Sequence, residues 1–180
     1  MNTLILSDIH GAIDGLKVAL SIKQTKNIQS IICLGDLLYH GPRNDIPKDY
    51  QPKEVIALLN AYKEEILCVR GNCDAEVDQM VLDFPIQADY QLLEMENHPI
   101  FMTHGHIYGP DYLPILKQGT LVLSGHTHIP TAYEKDGIYY LNPGSISIPK
   151  NGHPRTYAIL TDHSFTIYTL QEEVYMQINF

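Results

Sequence analysis

Up to residue 69 the chain alternates short apolar runs with segments whose apolar positions recur at helical spacing. Thr3 to Ser7, Ser30 to Leu34 and Ile66 to Val69 are apolar on consecutive positions, the pattern of strands buried on both faces of a covered sheet. Between the first two, Ile13, Leu16, Ala19 and Leu20 form a helical stripe preceded by Gly11. Between the second and third, Pro52 opens a helix carrying Val55, Ile56, Leu59 and Tyr62. This strand-helix-strand-helix-strand order predicts parallel strands with right-handed crossovers. Further on, the period changes. Gln91 to Met95, Ile100 to Thr103, Leu121 to Ser124, Thr131 to Lys135, Ile138 to Leu141, Thr156 to Thr161 and Phe165 to Leu170 read as short strands, with Asp136-Gly137 a hairpin turn, and together they predict a second, largely antiparallel sheet. The segment Tyr39 to Gln51, with Pro42 and Pro47, is expected to be an ordered loop. No internal repeat, low-complexity stretch or linker divides the chain, and residues 1–180 are expected to form one domain.

The polar residues that end these apolar runs carry the chemistry. Asp8 and His10 stand in Ser7-Asp8-Ile9-His10-Gly11, Asp36 in Leu34-Gly35-Asp36, Asn72 in Arg70-Gly71-Asn72-Cys73-Asp74, His104 in Thr103-His104-Gly105-His106, and His126 and His128 in Gly125-His126-Thr127-His128. All are oxygen or imidazole donors, and each block includes a glycine that permits close approach of the backbone. One such block alone is more often a turn or a helix cap. Their joint occurrence is the inventory of a two-metal hydrolytic site. The Asp8, Asp36 and Asn72 blocks fall just past the carboxyl ends of the expected parallel strands, where open α/β sheets bind ligands.

The order of these blocks resembles the signature of the calcineurin-like metallophosphoesterase superfamily: D-x-H, G-D, G-N-H-[DE], a histidine before glycine, and G-H-x-H. The stretches Leu34 to Asn44, Val69 to Met80, Thr103 to Pro110 and Leu141 to Lys150 are similar to the YfcE-type phosphodiesterases, a short single-domain bacterial branch. The resemblance covers essentially all of the chain. It implies a four-layer α/β fold, a two-sheet β-sandwich flanked by helices, with the histidine loops of one sheet facing the aspartate loops of the other. It also implies two divalent metal ions: Asp8, His10 and His128 around one, Asn72, His104 and His126 around the other, and Asp36 bridging them. Manganese is favoured, with iron, nickel or zinc suiting the same mixed nitrogen and oxygen donors. The implied activity is hydrolysis of small phosphodiesters by a metal-bridging hydroxide. Asp36, Asn72 and His104 are the catalytic candidates within that set. The nearest alternative is a phosphomonoesterase or protein phosphatase. A different class is a protein-interaction scaffold, the role of a eukaryotic relative on this fold with a weakened metal site. The resemblance allows a homo-oligomer. Cys73 stands where the wider superfamily carries a histidine that assists the leaving group, so it is either a catalytic residue or a small buried filler.

Composition narrows the partners. With 12 Lys and Arg against 21 Asp and Glu, a formal charge of -9 disfavours duplex nucleic acid and anionic membrane, both of which need clustered basic residues. Free nucleotides and small phosphodiesters stay open as substrates. Three cysteines with no C-x-x-C pair indicate neither a disulfide framework nor a thiolate zinc site, and fit a reducing cytoplasm. The apolar start Leu4-Ile5-Leu6 is too short for a signal peptide or a membrane span, so no export is expected.

The remaining histidines His40, His98, His153 and His163 are expected on the surface. His106 is a candidate for contact with substrate. Arg43, in Gly41-Pro42-Arg43-Asn44, is a candidate phosphate clamp. Asn142-Pro143-Gly144-Ser145 reads as a structural turn supporting the metal loops, and the scattered tyrosines offer no stacking platform for single strands.

Overall fold

A computed structural model of the chain describes residues 2–95 and 98–180. The chain begins β1 (Thr3–Leu6), α1 (Ile13–Thr25), β2 (Ser30–Cys33), α2 (Pro52–Asn60) and β3 (Ile66–Cys68), with β1 and β2, and β2 and β3, pairing in parallel. All four residues of β1 are buried because the strand is covered on both faces. Leu4 and Leu6 join a core with Ile13, Leu16 and Leu20 of α1 and Val55 and Leu59 of α2, whereas Ile5 points into a second core between the sheets. The expected helix through Tyr62 stops at Asn60 and gives way to a 3-10 turn at Lys63–Glu65.

After a single helical turn, α3 (Glu76–Gln79), the chain builds β4 (Tyr90–Met95), β5 (His98–Thr103), β6 (Leu121–Leu123), β7 (Thr131–Lys135), β8 (Ile138–Asn142), β9 (Thr156–Leu160), β10 (Ser164–Thr169) and β11 (Val174–Asn179). Two mixed sheets result, one of six strands ordered β11-β10-β9-β1-β2-β3 and one of five ordered β4-β5-β6-β8-β7. This corrects the sequence-based partition. The strands β9 and β10 extend the first sheet, where β9 pairs antiparallel with β1. All five residues of β9 are buried, as suits a strand beside the middle of a covered sheet. The strand β11, unanticipated, hydrogen-bonds to β10 and sends Met176 and Ile178 toward the inter-sheet core.

Nor is the second sheet largely antiparallel: β4–β5 and β7–β8 are antiparallel, but β5–β6 and β6–β8 are parallel. The reason is the connection from Thr103 to Leu121, which returns the chain to the end at which β5 began. In consequence the blocks following β5, β6 and β8 emerge at one edge. The two sheets pack through Ile5, Ile32, Leu34, Val69, Ile100, Met102, Leu121, Leu123, Leu160, Phe165 and Ile167, while α1 and α2 cover the other face of the first sheet. On the outer face of the second sheet Phe101 packs against the rings of Tyr90 and Tyr108, at 5.5 and 5.9 Å between centroids.

Phe165 is fully buried between the sheets, and truncating it leaves a cavity that two hydrogen-bonded sheets cannot readily close. Phe165→Ala should therefore cost roughly 3–5 kcal/mol in urea denaturation. A loss below about 1 kcal/mol would show that the sheets repack, and would contradict this account of the core.

Candidate metal centre

The loops that leave β1, β2 and β3 meet those that leave β5, β6 and β8, held by hydrogen bonds that continue beyond the strands. The amides of Asp8 and His10 donate to the carbonyls of Gly35 and Asp36, and that of Gly125 to the carbonyl of His104. Five of the seven expected ligands hold left-handed backbone: Asp8 (φ 54°), His10 (49°), Asp36 (57°), His126 (65°) and His128 (59°). Non-glycine residues rarely adopt this region, and such strain persists where the surroundings over-determine it. The surroundings here are tight. A Cβ on Gly71 would collide with the Asp36 amide and carboxylate, and one on Gly125 with the Ser7 hydroxyl.

Each buried ligand is oriented by its unused atoms. The Nδ1–H groups of His10, His104 and His128 donate to the carbonyls of Tyr39 (2.7 Å), Leu34 (2.6 Å) and Ile148 (2.5 Å), which leaves every Nε2 carrying its lone pair toward the centre. Asp8 accepts from the Ser7 hydroxyl and the His126 amide on Oδ2, and among the described residues its buried Oδ1 has no hydrogen-bond partner. Asp36 accepts the Cys73 amide on Oδ1 at 2.8 Å, and its Oδ2 faces inward.

The inward-facing atoms crowd one another. Nε2 of His10 lies 3.3 Å from Nε2 of His128 and 3.6 Å from Oδ2 of Asp36; Nε2 of His104 lies 3.5 Å from the same oxygen and 3.1 Å from Oδ1 of Asn72; Nε2 of His128 lies 3.3 Å from Oδ1 of Asp8. Lone pairs facing lone pairs in a buried pocket are repulsive unless a cation lies between them. The groups Asp8, His10, His128 and Asp8, Asp36, His104 each bring their donors within 4.8 Å, a spacing that fits a shared ion. At His104 a proton relieves the same crowding: burial opposes its charge, yet the Nε2–H bond to Asp36 and the charges of Asp8 and Asp36 push its imidazole up to about 9. Burial raises Asp36, but the His104 hydrogen bond and charge outweigh it and hold the carboxyl far below its usual range.

Asn72 joins the group through His104, and its side-chain amide donates to the Cys73 sulfur at 3.2 Å. The His126 ring lies 5.1 Å from that of His104 and lines the cleft, outside the tight donor groups. His106 is half-buried beside both rings, at 5.3 and 6.1 Å, and is not among the residues lining the cleft. Burial, followed by the charge of Asp36, pushes the Cys73 thiol up to about 12. Arg43 is exposed and lines the mouth of the cleft, a space of 330 Å³, together with Asn44 and Lys150. Only His163 of the four histidines expected on the surface is exposed. His98 bonds the Gly119 carbonyl and His153 the Tyr175 hydroxyl, because each ring supplies both apolar area and a polar atom, and His40 packs edge-on against Tyr39 and Tyr50.

Sequence reasoning expected the Asn142 to Ser145 turn to support the metal loops but did not single out the other residues behind the ligands. Buried Asp74 accepts the amides of Asp36 and Gly71 on Oδ2 and that of Leu37 on Oδ1, each at 2.8 Å, tying the loop after β2 to the loop after β3. The hydroxyls of Ser145 and Ser147 both donate to the carbonyl of Asp8, and the Asn142 side chain donates to the carbonyl of Gly125. At the mouth, Lys150 bonds Asn44 at 2.7 Å and Arg155 grips Asp49 through two nitrogens, stapling the 39–51 loop to the segment after β8. For Asp74 the sequence signal was the acidic position closing Gly71-Asn72-Cys73-Asp74, and for Asn142 and Ser145 it was their turn; Ser147 and Lys150 lay within the stretches of resemblance without a distinguishing pattern of their own.

Comparison with known proteins bears on this geometry. The model of the calcineurin-like phosphoesterase superfamily domain matches residues 1–164. Phosphodiesterase YfcE of Escherichia coli K12 is 42% identical over 173 residues, 96% of this chain and 94% of that protein. The probable metallophosphoesterase YsnB of Bacillus subtilis is 30% identical over 168 residues, 89% of this chain and 84% of the relative. In solved structures, the E. coli phosphoesterase YfcE superposes with a TM-score of 0.96 at 41% identity, covering 99% of this chain and 98% of that one. Zinc-complexed Vps29 of Entamoeba histolytica shares the fold, with a TM-score of 0.61 at 19% identity over 99% of each chain.

Removing the Asp74 carboxylate leaves three backbone N–H groups without their acceptor. Asp74→Ala should lower stability by about 3 kcal/mol in urea with chelator present. It should also weaken divalent metal binding by ~10-fold or more in calorimetric titration, the scale of lost ligand-orienting contacts. Stability and metal affinity both at parental values would refute the clamp.

Proposed function

The chain belongs to the calcineurin-like phosphoesterase superfamily, and on that premise we propose that it is a metal-dependent phosphodiesterase acting on small phosphodiesters. The observation that carries this reading is the set of acceptor atoms converging at 3.1 to 3.6 Å, with each buried imidazole locked so that its Nε2 faces inward. Asp8, His10 and His128 would hold one divalent ion, and Asn72, His104 and His126 a second. Asp36 would bridge them, since its Oδ2 faces both His10 and His104. Two such ions, when bound, neutralise charge on the phosphoryl oxygens and activate water. Mixed nitrogen and oxygen donors suit manganese, with iron, nickel and zinc as competitors, and the Cys73 sulfur lies within 4.8 Å of donors on His10 and Asp36.

The chain's own residues orient the substrate. Arg43 and Lys150 at the mouth are placed to pair with phosphate oxygens, and the Lys150–Asn44 bond holds one of these cations in position. Deeper in the cleft, the Ser7 hydroxyl and His126 amide fix the Asp8 carboxylate, so its free oxygen does not need to reorganise when charge arrives. Activity on phosphodiesters reaches this chain from its 42% identical relative over nearly its whole length. One domain spanning the chain, a cytoplasmic setting suited to its free cysteines, and little affinity for duplex DNA at a net charge of -9 complete the reading.

Asp36→Asn should abolish hydrolysis of bis(p-nitrophenyl) phosphate, by well over the ~10–100-fold that outer-shell changes produce, and weaken both ions. His128→Ala should chiefly weaken one. Metal analysis is the check: two tightly held ions with near-parental turnover in the Asp36 variant would overturn the assignment. A separate expectation concerns the leaving group. A thiol is a poorer proton donor than an imidazolium, so Cys73→Ser should change aryl diester hydrolysis little, while Cys73→His should gain most on alkyl esters. A collapse of aryl hydrolysis in the serine variant would mark Cys73 itself as catalytic.

A further inference from the structure

A second cavity shares a wall with the metal cleft. It is a trench of 430 Å³ whose sides include Tyr39, Tyr50, Ile56, Val77 and Val81, and Cys73 lines both spaces. Its walls are mainly apolar, with Lys53 and Asp78 among them, and open to solvent: Val77 is 63% exposed, Tyr39 and Val81 each 42%. Scattered apolar exposure is ordinary, but here it is gathered into one concave strip. None of the residues of α3 is buried, so Val77 is not held there by core packing. The trench is nonetheless rigidly tied to the metal centre. The segment carrying Val77 and Val81 follows directly from Asp74, whose carboxylate grips the Asp36 and Leu37 amides, and His10 is oriented by the carbonyl of Tyr39 itself.

A phosphodiester at the metal centre carries two ester groups, and the cleft of 330 Å³ has a cationic rim at Arg43 and Lys150 on one side. An apolar ester group gains nothing by lying against that rim. Passing over Cys73 it meets the two tyrosine rings and the valine wall instead. We infer that this trench binds the apolar alcohol portion, an aryl or branched alkyl group, of the phosphodiester whose phosphate is held at the metal centre. The inference rests on the proposed phosphodiesterase reading and adds the substrate class. Rings and methyl groups make up most of the trench, with Lys53 and Asp78 also on its walls, so it selects chiefly for hydrophobic area.

The test uses two phosphonates that the enzyme cannot cleave as esters, methylphosphonate and benzylphosphonate, binding to manganese-loaded protein in calorimetry. In the parent, benzylphosphonate should bind ~10-fold or more tighter, the effect of removing part of one ring from water. In the Val77→Ser/Val81→Ser double variant that ratio should fall toward one; both valines are exposed, so folding is not at issue. A ratio near one in the parent, or one that survives in the double variant, overturns the trench assignment. In either case, hydrolysis of bis(p-nitrophenyl) phosphate inhibited by both phosphonates leaves the phosphodiesterase reading standing. Absence of both phosphonate binding and diester hydrolysis sinks that reading, and this inference with it.

Discussion

Electrostatic frustration at the meeting edge of the two sheets is the constraint around which the rest is organised. Inward-facing atoms of Asp8, His10, His128, Asp36, His104 and Asn72 form a chain of neighbours 3.1 to 3.6 Å apart. A chain free to relax would rotate these side chains apart. Backbone carbonyls of Tyr39, Leu34 and Ile148 prevent the imidazoles from turning, and left-handed backbone at five ligand positions fixes where each side chain starts. Strain and repulsion of this kind are tolerated when the scaffold outweighs them and when a cation relieves them.

The scaffold outweighs them through burial on both faces of the first sheet. Because β1 is covered by α1 and α2 on one side and by the second sheet on the other, its carboxyl end is among the least mobile points available, and Asp8 and His10 follow it immediately. The parallel order of β5, β6 and β8 brings His104, His126 and the serine pair to the same edge from the opposing sheet. Likeness to Vps29 at 19% identity speaks only for this scaffold, since a shared fold does not by itself carry an activity.

What the sequence made legible was local. The ligands sit in short blocks with glycines, each readable where an apolar run ends, and the first three strands and two helices emerge from uninterrupted periodicity. What it hid was relational. Whether β9 pairs with β1 or with a strand of the other sheet depends on partners far along the chain, and an apolar run looks the same in either place. Asp74 was visible as an acidic residue, but its work, accepting three amides from two loops, has no local pattern. The ties of Lys150 to Asn44 and Arg155 to Asp49 each link residues 106 positions apart, beyond the reach of any window.

The position of β9 also bears on how the chain is made. Thr3 is paired with Leu160, so β1 waits for a strand far later in the chain to be synthesised before its second edge is closed. With synthesis at ~5–20 residues per second, β1 is outside the ribosome for several seconds with an unpaired backbone edge flanked by Leu4, Ile5 and Leu6. Exposed edges of this kind template association with other chains. Nascent protein, rather than the finished molecule, is therefore where this architecture is most vulnerable, and chaperone demand should fall once β9 has docked.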